Sequence, residues 1–338
     1  MPQRAGFEWV KYHTYQFFLK TADKISGLSR IQKQEKMNTM IKIKPLSLIF
    51  LAIAGLAFIT ACDKIEAPYV TTTGPVDTAA CPVPEFPAAG AVQKRVLLED
   101  YTGHTCVNCP KAAIIAHDLK EVHGERLVLL AVHAGFFANP TSSGDFTYDF
   151  RSEAGTAWDN FFGVGMVGNP NGLIDRKGYP STHIVSPSGW GAAITAALSA
   201  VPVIDLQMIN EYDAAERKLC THVKTSFITS VDRNLKLVVV LAESGIVKPQ
   251  KNNDPASGDV PVILNYSHNH VLRTAITTTW GSSIATTGTA NPEFLVNSFM
   301  HIVKDEYVAE NCSVIAFVYD DDTKEVLQAV EAPVVAAN

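Results

Sequence analysis

Leu97-Leu98-Glu99-Asp100-Tyr101-Thr102-Gly103-His104-Thr105-Cys106-Val107-Asn108-Cys109-Pro110 is the stretch that decides how the folded part of this chain is read. Residues 95–101 form an apolar run bounded by Gly103, the pattern of a buried strand. A helix is expected at once: Pro110 suits its first turn, Ala112, Ile115, Leu119 and Val122 form one apolar stripe, and Gly124 can close it. Residues 126–133 are apolar on both faces, as in a central parallel strand. The order strand, turn, helix, strand predicts an α/β domain. Further on, Ser186 and Pro187 start a helix whose Trp190, Ile194 and Leu198 share a face before Pro202.

Cys106 and Cys109 fall between the first strand and its helix, where unpaired amide N–H groups and the helix dipole stabilise a thiolate. Cys106 is then the candidate nucleophile and Cys109, one turn on, the resolving thiol. Two other readings stay open: an inert bridge, contributing about 2 kcal/mol for so short a loop, and metal binding by Cys106, Cys109 and His104. A c-type haem site would need His where Pro110 stands, and a zinc ribbon would need a second close Cys pair.

These residues resemble the start of a thioredoxin-fold domain. Gly163-Val164-Gly165-Met166-Val167-Gly168-Asn169-Pro170, followed by Gly172-Leu173-Ile174-Asp175-Arg176-Lys177-Gly178, resembles the thioredoxin cis-proline segment and the strand and turn after it. The resemblance implies that Pro170 faces the dithiol, that Asn169 aligns a partner backbone, and that Asp100 manages the resolving thiol's proton. An ordinary strand-end hydrogen bond is the other reading of Asp100. Thr105 and Asn108 depart from the family pattern, which puts reactivity in doubt. The stretch 134–163 is longer than a minimal thioredoxin needs and crowded by Phe136, Phe137, Phe146, Tyr148, Phe150, Trp158, Phe161 and Phe162. Such residues line a peptide groove or pack a helix and loop onto the sheet.

Upstream, residues 45–61 are uncharged, follow Lys42 and Lys44, and end in Ile59-Thr60-Ala61-Cys62. That is a secretory signal, and its end resembles a bacterial lipobox. The alternative, a transmembrane helix, is short for a hydrocarbon core of about 30 Å. The expected organisation is therefore 1–39 as a non-native or untranslated extension, 40–61 as signal, and 62–93 as a Pro/Thr/Ala-rich tether from a lipidated Cys62. A thioredoxin-like domain follows over 94–202 and a β-sandwich over 203–338. The 61 residues ahead of Cys62 hold nine of the chain's 28 Lys and Arg and three of its 34 Asp and Glu, so their removal takes the net charge from −6 to −12. An acidic chain gives no attraction to phosphate backbones, and nucleic acid is excluded as a partner.

From Val203 the period becomes two. Strands are expected at 219–228, 235–242, 260–264, 271–279, 294–303, 313–319 and 326–330, which suggests an antiparallel, immunoglobulin-like sandwich. Cys220 and Cys312 sit on different candidate strands of an exported protein and are expected to form a structural disulfide, which leaves Cys81 without an obvious partner. His268 and His270 alternate on a strand and, with His222 or His301, form a candidate metal set; half-exposed strand-end histidines are the commoner reading.

Taken together, the segment from Tyr266 to Arg273, the Gly-His-Thr-Cys-Val-Asn-Cys-Pro segment and the lipobox resemble the Omp-twenty-eight-related outer-membrane lipoproteins of Bacteroidota, over about residues 40–335. The resemblance implies an outer-membrane lipoprotein with a thioredoxin-like domain and a β-rich tail. The functional expectation is thiol exchange with exported disulfide-bearing proteins through Cys106, Cys109, Asp100, Pro170 and Asn169. The alternative is a non-enzymatic surface, adhesion or assembly protein using the fold as a scaffold. No cofactor is expected and no metal set is assigned.

Overall fold

Strand β1 (Val96–Thr102) is buried along nearly its whole length, because Leu97 and Leu98 face opposite sides and both sides are covered. In the computed structural model, which describes residues 80–336, β1 leads through a short turn into α1 (Cys109–His123), and β2 (Leu127–His133) returns parallel to β1. Then come α2 (Glu153–Phe162), the single turn α3 (Val164–Val167), β3 (Asn171–Ile174), β4 (Ile184–Val185) and α4 (Pro187–Leu198). Pro110 lies in the first turn of α1 and Gly124 ends it at positive φ. Ala112 and Ala116 pack inward with Leu98, Leu129, Trp190 and Ile194, so α1 and α4 cover one face of the sheet. Val122, expected on the inner stripe, is 75% exposed.

The rest is almost entirely strand: β5 (Ile204–Asp213), β6 (Lys218–Phe227), β7 (Leu235–Glu243), β8 (Ile246–Lys251), β9 (Val262–His268), β10 (Val271–Ala275), β11 (Ser282–Ala285), β12 (Phe294–Ile302), β13 (Cys312–Asp320) and β14 (Val326–Pro333). They do not form a self-contained sandwich. The main sheet runs β14-β13-β7-β10-β2-β1-β3-β4, with β11 also paired to β7, so it passes straight through the expected boundary at 202/203. The join is made by β10 alongside β2, where the Ala131 N–H donates to the His270 carbonyl at 2.8 Å. Half of the sandwich expectation stands: the three-stranded sheet β12-β6-β5 lies over one face of β7, β13 and β14, with Leu206, Leu219 and Val223 against Leu237, Val239, Val314 and Ala316. Its other layer belongs to the sheet of the first half.

A buried ion pair ties the halves on the α2 side. Arg176 gives two 2.7 Å hydrogen bonds to Glu99 of β1, and both side chains are fully buried. The guanidinium lies about 5 Å from the rings of Trp158 and Phe162 in α2 and of Phe317 in β13, with Tyr319 at 5.6 Å.

The expected Cys220–Cys312 disulfide is not formed. Cys220 is bonded to Cys81, 139 residues earlier, and Cys312 is a buried free thiol. Strand alternation explains the error. Leu219 and Val223 point into the space between the sheets, where Cys312 also lies, so Cys220 points to the outer face of β6. That face is covered by residues 81–87, with the Pro87 carbonyl accepting from Gln207 and Phe86 beneath Lys224. The described end of the tether is therefore fastened to the sheet, and a loop of that length contributes about 5 kcal/mol in the chain-entropy treatment. The expectations for 1–39, 40–61 and Cys62 lie outside the described residues.

Candidate redox site

Gly103 in the turn from β1 to α1 lets the Phe137 backbone pack against it; a Cβ there would collide with that backbone. The Gly103 carbonyl accepts from the Cys106 N–H, and the Cys106 carbonyl from the Cys109 N–H. Cys106 and Cys109 form a disulfide. Pro170 follows a cis peptide bond, and Asn169 donates from Nδ2 to the carbonyls of Thr102 (3.1 Å) and Ala134 (3.2 Å), which fixes this segment beside the end of β1. In register Asp100 faces Gly172 and Tyr101 faces Asn171, so Pro170 lies one step further along the strand edge that leads into the CxxC turn.

The sulfurs are covered. Cys106 is 2% and Cys109 3% exposed. The cover is the β8–β9 hairpin, a two-stranded sheet of its own. Gln250 Nε2 donates to the Cys106 carbonyl at 2.8 Å, the Lys251 N–H to the His104 carbonyl at 2.9 Å, and the Asn253 N–H to the Val107 carbonyl at 3.1 Å. Asn253 Nδ2 adds a bond to Asn108 Oδ1. Four of the five residues from 250 to 254 carry side chains that hydrogen-bond, and nothing in their weak apolar pattern signals a cover.

Behind the turn lies a cavity of about 110 Å³ between α1, the floor of β1 and β2, and the end of β9. Asp100, Cys109, Ala113, Ala116, His133, Tyr266 and His268 line it; Cys106 does not. Asp100 is 8% exposed, its Oδ1 has no partner, and burial raises its carboxyl to about 7. The strand-end hydrogen bond weighed for it is absent. His133 is buried with both ring nitrogens unpartnered and His268 with its Nε2 unpartnered; burial lowers His133 well below the ordinary imidazole value and His268 to about 3. Sequence reasoning missed His133, whose only signal is a polar residue closing an apolar strand.

Three of the eight aromatic residues of the long insertion pack into the core, three are half-buried, and Phe136 and Phe161 are exposed. Trp158, Phe150 and Phe162 are core residues, and Phe150 stacks on His133 (4.6 Å) and meets His268 (4.3 Å). Phe136 is 78% exposed, as are much of Met166 and Val167 and part of Val107. The candidate metal sets are not assembled. His270 turns into left-handed backbone and breaks the alternation with His268, while His222 bonds Ser298 on the small sheet. Among the described residues no three His, Cys, Asp or Glu side chains converge on a metal position, and the His104, Cys106 and Cys109 set is included in that statement.

The family model described as outer membrane protein Omp28 matches residues 156–337, more than half of the chain. The chain belongs to the Omp28 outer membrane protein family. Omp28 membership agrees with the sequence resemblance and puts the protein at the outer membrane. The matched residues start inside α2 and run to the last strand, so Cys106 and Cys109 lie outside them. Among solved structures, HBP35 of Porphyromonas gingivalis is similar at 14% identity and TM-score 0.55, over 74% of this chain and 81% of that one, which is a likeness of fold. A domain of the outer membrane lipoprotein Omp28 from the same organism is 24% identical, covering 40% of this chain and 90% of that one, at TM-score 0.28. Protein AGR_C_4864 of Agrobacterium tumefaciens is 11% identical over 74% and 98%, at 0.46. No curated protein sequence matches the chain. Among the described residues no helix is long and apolar enough to cross a membrane.

Proposed function

We propose that this Omp28-family chain is held to the outer membrane by lipid on Cys62 and uses a thioredoxin-like scaffold, closed over its disulfide, for surface or assembly contacts rather than for disulfide exchange with protein partners. The scaffold reading is supported by the strand order β2-β1-β3-β4, with β3 antiparallel and α1 and α4 on one face. The observation that carries the closed reading is the near-complete burial of Cys106 and Cys109 beneath Gln250, Lys251 and Asn253. A protein thiol must reach a sulfur in line with the S–S bond, and sulfurs so nearly buried leave little room for a macromolecular partner.

The second reading keeps exchange with exported proteins, Cys106 attacking, Cys109 resolving, and Asn169 with Pro170 aligning the partner. It is favoured by the unpartnered Asp100 on the cavity that Cys109 also lines and by exposed Val107, Phe136, Met166 and Val167, which give apolar surface. Reduction of insulin by the reduced full chain separates the two. Rates for wild type and Cys106→Ser equal within two-fold are expected; a ten-fold or greater loss in Cys106→Ser would establish exchange.

A further inference from the structure

The two sulfurs differ in what they face. The cavity touches Cys109 and not Cys106, and it has a mouth: His117 on α1 and Ser267 and Asn269 at the end of β9 line it and are exposed. Gln250, which forms part of the cavity wall, together with Lys251 and Asn253, bonds the turn that carries Cys106. We propose that Cys109, not Cys106, is the sulfur open to attack, and that the reagent admitted is a low-molecular-weight thiol entering between α1 and the β9–β10 turn. This rests on the closed reading of the hairpin, which bars larger thiols from the Cys106 side.

Size sets the class of reagent. About 110 Å³ is smaller than the roughly 150 Å³ apolar cavity that takes a benzene ring. A two- or three-carbon thiol fits; a peptide thiol does not. Walls of Ala113, Ala116, Leu129 and Leu130 suit a short carbon chain, and Asp100, His133 and His268 leave unpartnered buried polar atoms for its polar end.

The chemistry is one exchange. A thiolate RS⁻ attacks Cys109 Sγ, the Cys109–Cys106 bond breaks, and Cys106 leaves as a thiolate that takes up the proton RSH gave to solvent. A second RSH then attacks the mixed disulfide, releasing RSSR and leaving both cysteines as thiols, so two electrons pass from two RSH to the protein.

The test uses the oxidised full chain with 2-mercaptoethanol or glutathione at equal thiolate concentration, quenched by acid with alkylation of the released thiol and mapped by peptide mass. The adduct is expected on Cys109, with opening at least ten-fold faster for 2-mercaptoethanol. Ala113→Phe fills the cavity and Ser267→Trp blocks its mouth from an exposed position; each is expected to slow opening at least five-fold with circular dichroism unchanged. An adduct on Cys106, or unchanged rates in both variants, overturns the proposal. Equal rates for glutathione and 2-mercaptoethanol with the adduct on Cys106 would overturn the closed reading as well. A bridge that neither thiol opens overturns the cavity route and leaves the closed reading standing.

Discussion

Glu99 and Asp100 are neighbours on one strand, both carboxylic acids and both buried, yet they live under opposite electrostatic conditions. Strand alternation sends Glu99 to the α2 side, where Arg176 takes both its oxygens. It sends Asp100 to the α1 side, where no hydrogen bond meets it. A buried charge that is paired becomes a fixed part of the architecture, whereas an unpaired one is held near neutrality and stays free to titrate. The contrast separates the structural face of the first half from its chemically poised one.

The largest expected effect breaks the paired side. Arg176→Met leaves Glu99 buried without a counter-charge and should cost about 4 kcal/mol, read as a lowered urea midpoint; Glu99→Leu added to it should recover most of that loss. A double variant no more stable than the single one would mean that the aromatic cage, not the charge, is what Arg176 serves.

On the unpaired side the expectation has the opposite sign. Asp100 has a folded value of about 7 against 3.8, so the folded state holds the proton more tightly and stability falls as pH rises from about 4 to 7. A displacement of that size corresponds to about 4 kcal/mol at most, and water in the cavity reduces it, so we expect roughly 2 to 3 kcal/mol. Buried His133 and His268, with lowered values, act in reverse and make stability rise with pH below about 6.5. The difference between wild type and Asp100→Asn isolates the carboxyl. It should be near zero at pH 4 and favour the variant at pH 8; a flat difference across that range would mean Asp100 is solvated.

Smaller effects sharpen the contrast. Cys106→Ser with Cys109→Ser should lower stability by about 2 kcal/mol, as a short closed loop allows. Gln250→Ala removes the hairpin's bond to the Cys106 carbonyl, at a cost of about 1 kcal/mol; opening of the bridge by glutathione should accelerate several-fold. Unchanged glutathione kinetics would show that Gln250 is not part of the cover.

The first half was readable because its signals are local. Apolar runs on both faces marked β1 and β2, Pro110 and Gly124 marked the ends of α1, and the segment around Pro170 was found through its resemblance to the thioredoxin cis-proline segment. Asp100 was singled out by its spacing from Cys106 and the thioredoxin resemblance; in the structure it lines the same cavity as Cys109. The errors share one cause. Cys220 was paired with Cys312 because both lay on strands, but which face a strand residue takes against a distant partner is a matter of register, and Cys220 faces Cys81. The domain boundary at 202/203 missed the sheet for the same reason, since the β10–β2 pairing leaves no trace in either strand's own pattern.

By itself the amino-acid sequence determined the strand and helix periods of the first half, the placing of two cysteines at a helix start, the acidic charge and the resemblance to outer-membrane lipoproteins, because each is written in neighbouring residues. Only the tertiary structure decided that the halves share a sheet, that Cys81 fastens the tether, and that a hairpin from residues 246–268 closes over the bridge while a cavity opens behind it. Those outcomes depend on contacts between segments a hundred or more residues apart, where local hydrophobic pattern carries no information about the partner.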